Sequence, residues 1–328
     1  MLAETPQGLF CPLGPFHIDA REPVERSVLT HAHGDHARAG SAAYLCVPEC
    51  AALVRRRLGP EAVIETLPYG ERRRLGGVTV SFHPAGHMLG SAQVRIEGPE
   101  GVWVVSGDYK REPDPTCPPL EPLRCDVFVT EATYALPLFR WDEPAAVAAE
   151  ILRWWEGNAR ASLLFCYALG KAQRILAELA RLTDKPVFAH GAVEPFAAVY
   201  REAGVKLLET RAVVDGARFA GELVLAPLTA RGTPWMKRFS SSKGFEQGFA
   251  SGLLRIRGTR RRRGFDRGFV LSDHADWPGV LRTVRETGAP RVLATHGHRE
   301  ALARFLRAEG LQAEVLGGLP HEPDPEGD

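Results

Sequence analysis

Apolar positions in the first 140 residues recur in short runs, not in helical stripes. Residues 26–30 read as a strand that leads straight into a histidine-rich turn. Residues 78–83 place Val78, Val80 and Phe82 on one side and stop at Pro84, and that period of two marks a strand with one buried face. Residues 92–97 and 102–106 flank Gly98-Pro99-Glu100-Gly101, a turn composition, so the two predict a hairpin. Residues 126–131 read as a further strand. Nearly every one of these runs ends on a polar residue.

The period changes at Trp141. Asp142-Glu143-Pro144 is a helix start, and Val147, Ile151 and Trp155 follow at helical spacing. A strand over 162–167, a helix carrying Ile175, Leu179 and Leu182 on one face, a strand over 186–190, a helix over 194–202 and a strand over 222–226 complete the segment. Strands alternating with helices predict a parallel sheet with crossover helices. Past Gly252 a third regime begins: a strand over 268–272 leads to Asp273-His274, and after a helix a strand over 291–295 leads to His296. The fold class is therefore α/β, with residues 141–251 inserted as an α/β domain between 1–140 and 252–328. The last eight residues, rich in proline and acid, are expected to fray.

Composition narrows the class. Hydrophobic residues at 45% and charged ones at 25% exclude disorder as the dominant state. The longest apolar runs, 102–105 and 162–168, are too short to cross a bilayer, so no membrane partner is expected. Residues 1–6 show no basic-then-apolar leader. The six cysteines have no C-x-x-C spacing, as in a reduced, cytoplasmic protein. Any bound metal must then rely on histidine and carboxylate. Forty-one basic against forty acidic residues mean that a polyanion would need a locally segregated patch.

His31-Ala32-His33-Gly34-Asp35-His36 is the strongest chemical signal. In extended chain His31 and His33 share a face, and Gly34 permits a turn that presents Asp35 and His36 toward a second ion. Imidazole and carboxylate without thiolate suit catalytic zinc or manganese. Further candidates stand beside glycines at later strand ends: His87, Asp108 and His296, with His298 as a rival to His296. Asp19, after Phe16-His17-Ile18, suits a carboxylate that orients a ligating imidazole, or is an ordinary turn residue.

This series, His31-x-His33-x-Asp35-His36 followed by His87, Asp108 and His296, resembles the metallo-β-lactamase signature in order and spacing. Glu131 in Thr130-Glu131-Ala132-Thr133-Tyr134 is similar to motif A of the β-CASP nucleases, His274 in Ser272-Asp273-His274-Ala275-Asp276 to motif B, and His296 to motif C. Residues 165–173 look like part of the β-CASP insert. Gly8-Leu9-Phe10-Cys11-Pro12 and residues 106–117 and 257–264 resemble the bacterial ligase-associated DNA exonucleases, and that resemblance runs over nearly the whole chain.

The resemblance implies a metallo-β-lactamase αββα sandwich and two divalent ions, zinc or manganese. One would be held by His31, His33 and His87 and the other by Asp35, His36 and His296, with Asp108 bridging. A water activated between them would attack phosphorus, with His274 as proton donor to the leaving oxygen and Glu131 orienting His274. The implied setting is DNA repair beside an ATP-dependent DNA ligase and a helicase, on single-stranded or end-bearing DNA, with a weak lean to the 5′ end. Some crosslink-repair members carry valine at motif C, whereas His296 follows the RNA-processing branch, so a ribonuclease is the alternative. A catalytically silent nucleic-acid-binding scaffold is a third reading.

Residues 255–267 hold seven arginines and one aspartate. Such a run is either a solvated face or a phosphate track, and its place just before the strand leading to His274 favours the track. Arg255, Arg257, Arg260, Arg261, Arg262 and Arg263 are its candidate contacts, joined by Lys171, which with Gln173 follows Gly170 at a helix start. Helix capping explains Lys171 and Gln173 nearly as well. Trp141, Trp154, Trp155 and Trp277 are candidate stacking platforms, with a core role preferred for the first three.

Overall fold

The computed structural model describes residues 1–239 and 244–317 and divides into two compact units. The first comprises Met1–Glu112, Cys117–Pro137 and the chain from His274 onward, and the second Pro113–Thr116 and Leu138–Asp273. The frayed end expected for the last eight residues lies outside the described residues.

The first unit opens with a six-stranded sheet in chain order: β1 (Ala3–Thr5), β2 (Gly8–Cys11), β3 (Phe16–Ile18), β4 (Arg26–Val28), β5 (Ala43–Cys46) and β6 (Ile64–Thr66). Helix α1 (Pro48–Leu58) joins β5 to β6. It starts on proline, carries Glu49 in its first turn and Arg55, Arg56 and Arg57 in its last, and ends at Gly59. Each choice complements the free backbone groups and the dipole at that end. Only Cys50, Leu53 and Val54 are buried, a stripe too narrow to stand out among strands in the sequence.

A second sheet begins with β7 (Arg72–Leu75), β8 (Val78–Pro84), β9 (Ala92–Gly98), β10 (Gly101–Val105) and β11 (Val127–Glu131). The predicted alternation holds in β8, where Val78, Val80 and Phe82 are buried, and β9 and β10 pair antiparallel around the predicted turn.

In the second unit, β12 (Ala161–Phe165), β13 (Val187–Ala189), β14 (Thr210–Ala212), β15 (Leu223–Ala226), β16 (Phe245–Ala250) and β17 (Arg267–Phe269) form one sheet, ordered β14-β13-β15-β12-β16-β17. Every pairing in it is parallel. The central β15 is apolar throughout, and β12 is so except for buried Ser162, because both faces are covered. Leu164, Leu223 and Leu225 pack with α2 (Pro144–Glu156), α3 (Lys171–Leu179) and α4 (Glu194–Glu202). Leu163, Phe165, Val224 and Ala226 join an aromatic cluster of Phe219, Phe239, Phe249 and Phe265. The unit runs to Asp273, past the expected insert end at 251, because β17 pairs with β16. The short α5 (Thr259–Arg262) lies between them in sequence.

Back in the first unit, α6 (Trp277–Thr287), β18 (Arg291–Thr295), α7 (Arg299–Ala308) and β19 (Gln312–Val315) complete the second sheet, ordered β19-β18-β11-β10-β9-β8-β7. Val280, Val284, Leu302 and Leu306 bury the helices' apolar faces against Phe128, Val292 and Ala294. Among the described residues, no helix is long and apolar enough to cross a membrane.

Candidate metal centre

Each expected ligand follows the end of a strand in the first unit: Asp19 after β3, His31 to His36 after β4, His87 after β8, Asp108 after β10 and His296 after β18. Since β10, β11 and β18 are mutually parallel, and β8 reaches β10 through two antiparallel pairings, these strand ends share one edge of their sheet. Buried apolar residues such as Val80 and Phe82 of β8, Val104 of β10 and Val292 of β18 anchor these strands in the core, and the ligand-type side chains come just past their ends.

Strand β4 stops at Val28, and the amides of His36 and Ala37 fold back onto the His33 carbonyl at 3.1 and 2.8 Å. The turn thus begins at His33, and the His31 and His33 rings lie 4.8 Å apart. One donor atom from each of His31, His33, His87 and Asp108 lies within 4.8 Å of the others. His87 Nε2 is 3.2 Å from His33 Nδ1, and His31 Nε2 is buried with no hydrogen-bond partner, 3.5 Å from Asp108 Oδ2. An orphaned buried nitrogen costs about 1–3 kcal/mol, a cost that a coordinated cation removes. Three imidazoles and a carboxylate fit a divalent ion.

Asp108 extends the cluster. Its Oδ2 lies 3.4 Å from His36 Nε2, which is itself 3.5 Å from Asp35 Oδ2. Asp108 also meets Glu131 and His274 in a second close set, with His274 Nδ1 at 2.8 Å from Glu131 Oε2. His296 belongs to neither set, but its ring stands 5.8 Å from that of His36 and it feels the charges of Asp108, His36 and Asp35. The charged neighbour recorded for His298 is instead Glu300.

Burial works against a charged His36, yet Asp35, Asp108 and Asp19 together hold its pKa well above the usual imidazole range. Burial, then the His36 charge, pushes His31 well below that range. Burial opposes ionisation of Asp108, but His36 and His274 outweigh it and keep the carboxyl well below its ordinary value. Asp35 is lowered in the same way, burial being overcome mainly by His36. Without a cation, a protonated His36 offsets part of the carboxylate charge.

Asp19 orients His36 from behind. Its Oδ2 lies 2.7 Å from His36 Nδ1, and it accepts from Thr30 N at 2.8 Å and Thr30 Oγ1 at 2.7 Å. Asp19 and His296 are the two non-glycine residues with positive φ among those described, 47° and 58°. Backbone strain concentrated at one cluster marks positions held for what their side chains do. Asp19→Asn is expected to weaken metal affinity about 10–100-fold, read by competing the metal with a chelator dye.

Several supporting residues gave no signal in the sequence. Thr30 also approaches His31 Nδ1 at 3.0 Å, buried Lys110 donates to the His87 carbonyl at 3.0 Å, and Ser91 Oγ accepts from His87 N at 3.0 Å. Glu131 accepts from Tyr109 N at 2.8 Å and from the Thr133 hydroxyl. The glycines beside the ligands have a steric cause. A Cβ on Gly107, whose φ is 56°, would lie 2.6 Å from Thr30 Cβ. Gly107→Ala is therefore expected to cost about 1–3 kcal/mol, a fall in melting temperature on a thermal scan.

The nucleic-acid candidates lie in the second unit. Arg255 pairs with Asp142 at 3.0 Å, Arg260 donates to the Phe265 and Asp266 carbonyls at 2.9 Å each, and Arg262 donates to the Arg257 carbonyl at 3.2 Å. Part of the strip thus closes its own short helix, while Arg257, Arg261 and Arg262 stay exposed, and Arg263 lies over the Phe249 ring. Lys171 is buried, with Nζ 4.9 Å from the Tyr167 ring centre, and Gln173 Oε1 accepts from Gly170 N at 2.7 Å. Capping accounts for Gln173. Trp154 and Trp155 are buried core residues, and Trp277, expected as a platform, is buried against Phe305 instead. Trp141 is half-buried beside Phe139.

No family model matches the chain. It is 31% identical over 315 residues to a probable DNA ligase from Opitutus terrae, covering 94% of this chain and 30% of that protein. Over 218 residues it is 32% identical to the ribonuclease TTHA0252 of Thermus thermophilus, covering 57% of this chain and 48% of that one. A match of 32% over 120 residues with cleavage and polyadenylation specificity factor 73 of Drosophila melanogaster covers 34% of this chain and 17% of the relative. These relatives point to the metallo-β-lactamase/β-CASP nucleases. The chain spans less than half the length of each. A crystal structure of a protein of unknown function from Enterococcus faecalis shares the fold, with a TM-score of 0.55 at 12% identity over 90% of this chain and 79% of that one.

Proposed function

We propose that this chain is a β-CASP nuclease, a metallo-β-lactamase αββα sandwich with an inserted β-CASP domain that runs on to Asp273, and that it works as a metal-dependent DNA exonuclease. The observation that carries the reading is the convergence of His31, His33, His87 and Asp108 from distant parts of the chain onto one point. DNA is preferred because the relative spanning most of the chain is named as a DNA ligase. The same match supports a link to a DNA ligase; action in cytoplasmic DNA repair beside an ATP-dependent ligase and a helicase extends that reading by family resemblance.

His31, His33, His87 and Asp108 would hold one divalent ion, and Asp35, His36 and His296 are the residues that would hold a second. Zinc or manganese, when bound, lowers the pKa of water and neutralises phosphoryl oxygens. Asp19 fixes the His36 ring through Nδ1 and leaves Nε2 for the ligand role. Glu131, held by Tyr109 N and Thr133, keeps a proton on His274 Nδ1, so His274 Nε2 is the atom that gives a proton to the leaving oxygen. The exposed guanidinium groups of Arg257 and Arg261 bind phosphates of the strand, with Arg255, Arg260, Arg262 and Arg263 shaping that surface.

The test is a metal-stripped preparation reloaded with zinc or manganese and offered matched DNA and RNA oligonucleotides, each labelled at one end. Single-stranded DNA should shorten progressively from a terminus, and chelator should stop it. Faster loss of RNA would favour the ribonuclease reading, which the likeness to ribonuclease TTHA0252 supports. Binding of DNA without hydrolysis, in protein that metal analysis shows empty, would favour the scaffold and overturn the enzyme.

A further inference from the structure

We infer that the first unit carries a pocket for one unpaired nucleoside, the neighbour of the phosphate being cleaved. The inference rests on the nuclease reading and adds a binding site to it. A cavity of about 590 Å³ shares Asp35, His36 and His296 with the metal centre. Its size falls within the range of roughly 300–1,000 Å³ that holds small ligands. A duplex end does not fit such a volume.

The lining matches a flat ring with a polar rim. Leu9, Ile18, Val105 and Val129 supply aliphatic walls from both sheets of the unit. Thr5, Ser106 and Thr295 add hydroxyls suited to base edges, and Arg299 adds a cation. Because Asp35, His36 and His296 line the cavity, a phosphate at the metal centre they belong to would have its attached nucleoside at the cavity mouth.

The walls are already fixed. Gly317 N donates to Glu4 Oε2 at 2.9 Å, and Arg299 Nη1 donates to the Leu316 carbonyl at 3.0 Å. The first bond ties β1 to the chain just after β19, so the pocket does not need the ligand to assemble it. A preformed site loses less ordering entropy on binding. The consequence is a demand for an unpaired terminal or frayed nucleotide and release of short products, the terminal mononucleotide first.

The experiment has two arms. Saturation-transfer NMR with deoxycytidine and deoxyadenosine on metal-free protein reads the pocket without any cleavage. Signal is expected on wild type and loss of it in Leu9→Trp, which fills the space from β2; Thr5→Trp replaces it should that variant not fold. End-labelled single-stranded DNA with metal-loaded protein reads product length, where the filled variant should lose at least tenfold of mononucleotide release while longer fragments persist. Nucleoside transfer and mononucleotide release that are both unchanged in a folded, filled variant would overturn the pocket. Absence of any cleavage by wild type would instead sink the nuclease reading, leaving the NMR arm to decide the pocket by itself.

Discussion

Asp108→Asn is expected to abolish measurable hydrolysis, a loss of about 10³-fold or more, and to lower metal content in the same preparation. Asp108 lies between 3.4 and 4.0 Å from nitrogens of His31, His36, His87 and His274. No other carboxylate in the cluster reaches all four. Asparagine keeps the shape and removes the charge, so the change isolates electrostatics from packing. The metal-free fold should suffer as well. The Asp108 carboxylate helps hold a charged His36 in a buried site, and removing one partner of such a set costs up to about 3–5 kcal/mol. Urea denaturation of the stripped variant should therefore show a lowered midpoint with an unchanged slope. A variant that kept wild-type turnover and stoichiometric metal would show that Asp108 is not the hinge of the site.

The candidate site was more legible in the sequence than the fold around it, and the reason is local. A strand that ends at a site changes from apolar to histidine or aspartate within a residue or two, as at Thr295-His296, so the chemistry stands out against its own strand. Thr30 and Lys110 hold that chemistry in place but carry no such contrast, since threonine and lysine are common at strand ends. Helix α1 escaped notice because its buried stripe is three residues wide. The arginine strip was legible only as charge. Charge counted along the chain says nothing of carbonyls nearby, and Arg260 and Arg262 spend their guanidinium groups on backbone oxygens of their own segment. Lys171, a phosphate candidate for its place at a helix start, and Trp277, a stacking candidate, are both buried, beside Tyr167 and Phe305.

His274→Ala should lower kcat about 10²–10⁴-fold on a natural phosphodiester while metal content and KM hold near wild type. The His274 ring is separate from the four-donor set, and its Nδ1 is engaged at 2.8 Å by Glu131, so its removal leaves the cation's donors in place. Glu131→Gln should produce a smaller loss of the same kind, because an amide fills the same space but lacks the charge that stabilises a protonated ring and can accept hydrogen bonds at only one of its two ends. The two changes should not add: once His274 is gone, Glu131 has no imidazole to orient, and the double variant should match His274→Ala within a factor of a few. A structural role for the pair would lower stability and damage every substrate alike. Proton donation predicts selectivity instead. A p-nitrophenyl phosphodiester, whose leaving group departs without a proton, should be hydrolysed by His274→Ala at close to the wild-type rate, while single-stranded DNA is spared. Equal losses on the activated ester and on DNA would remove His274 from the proton path and leave it as a phosphate contact.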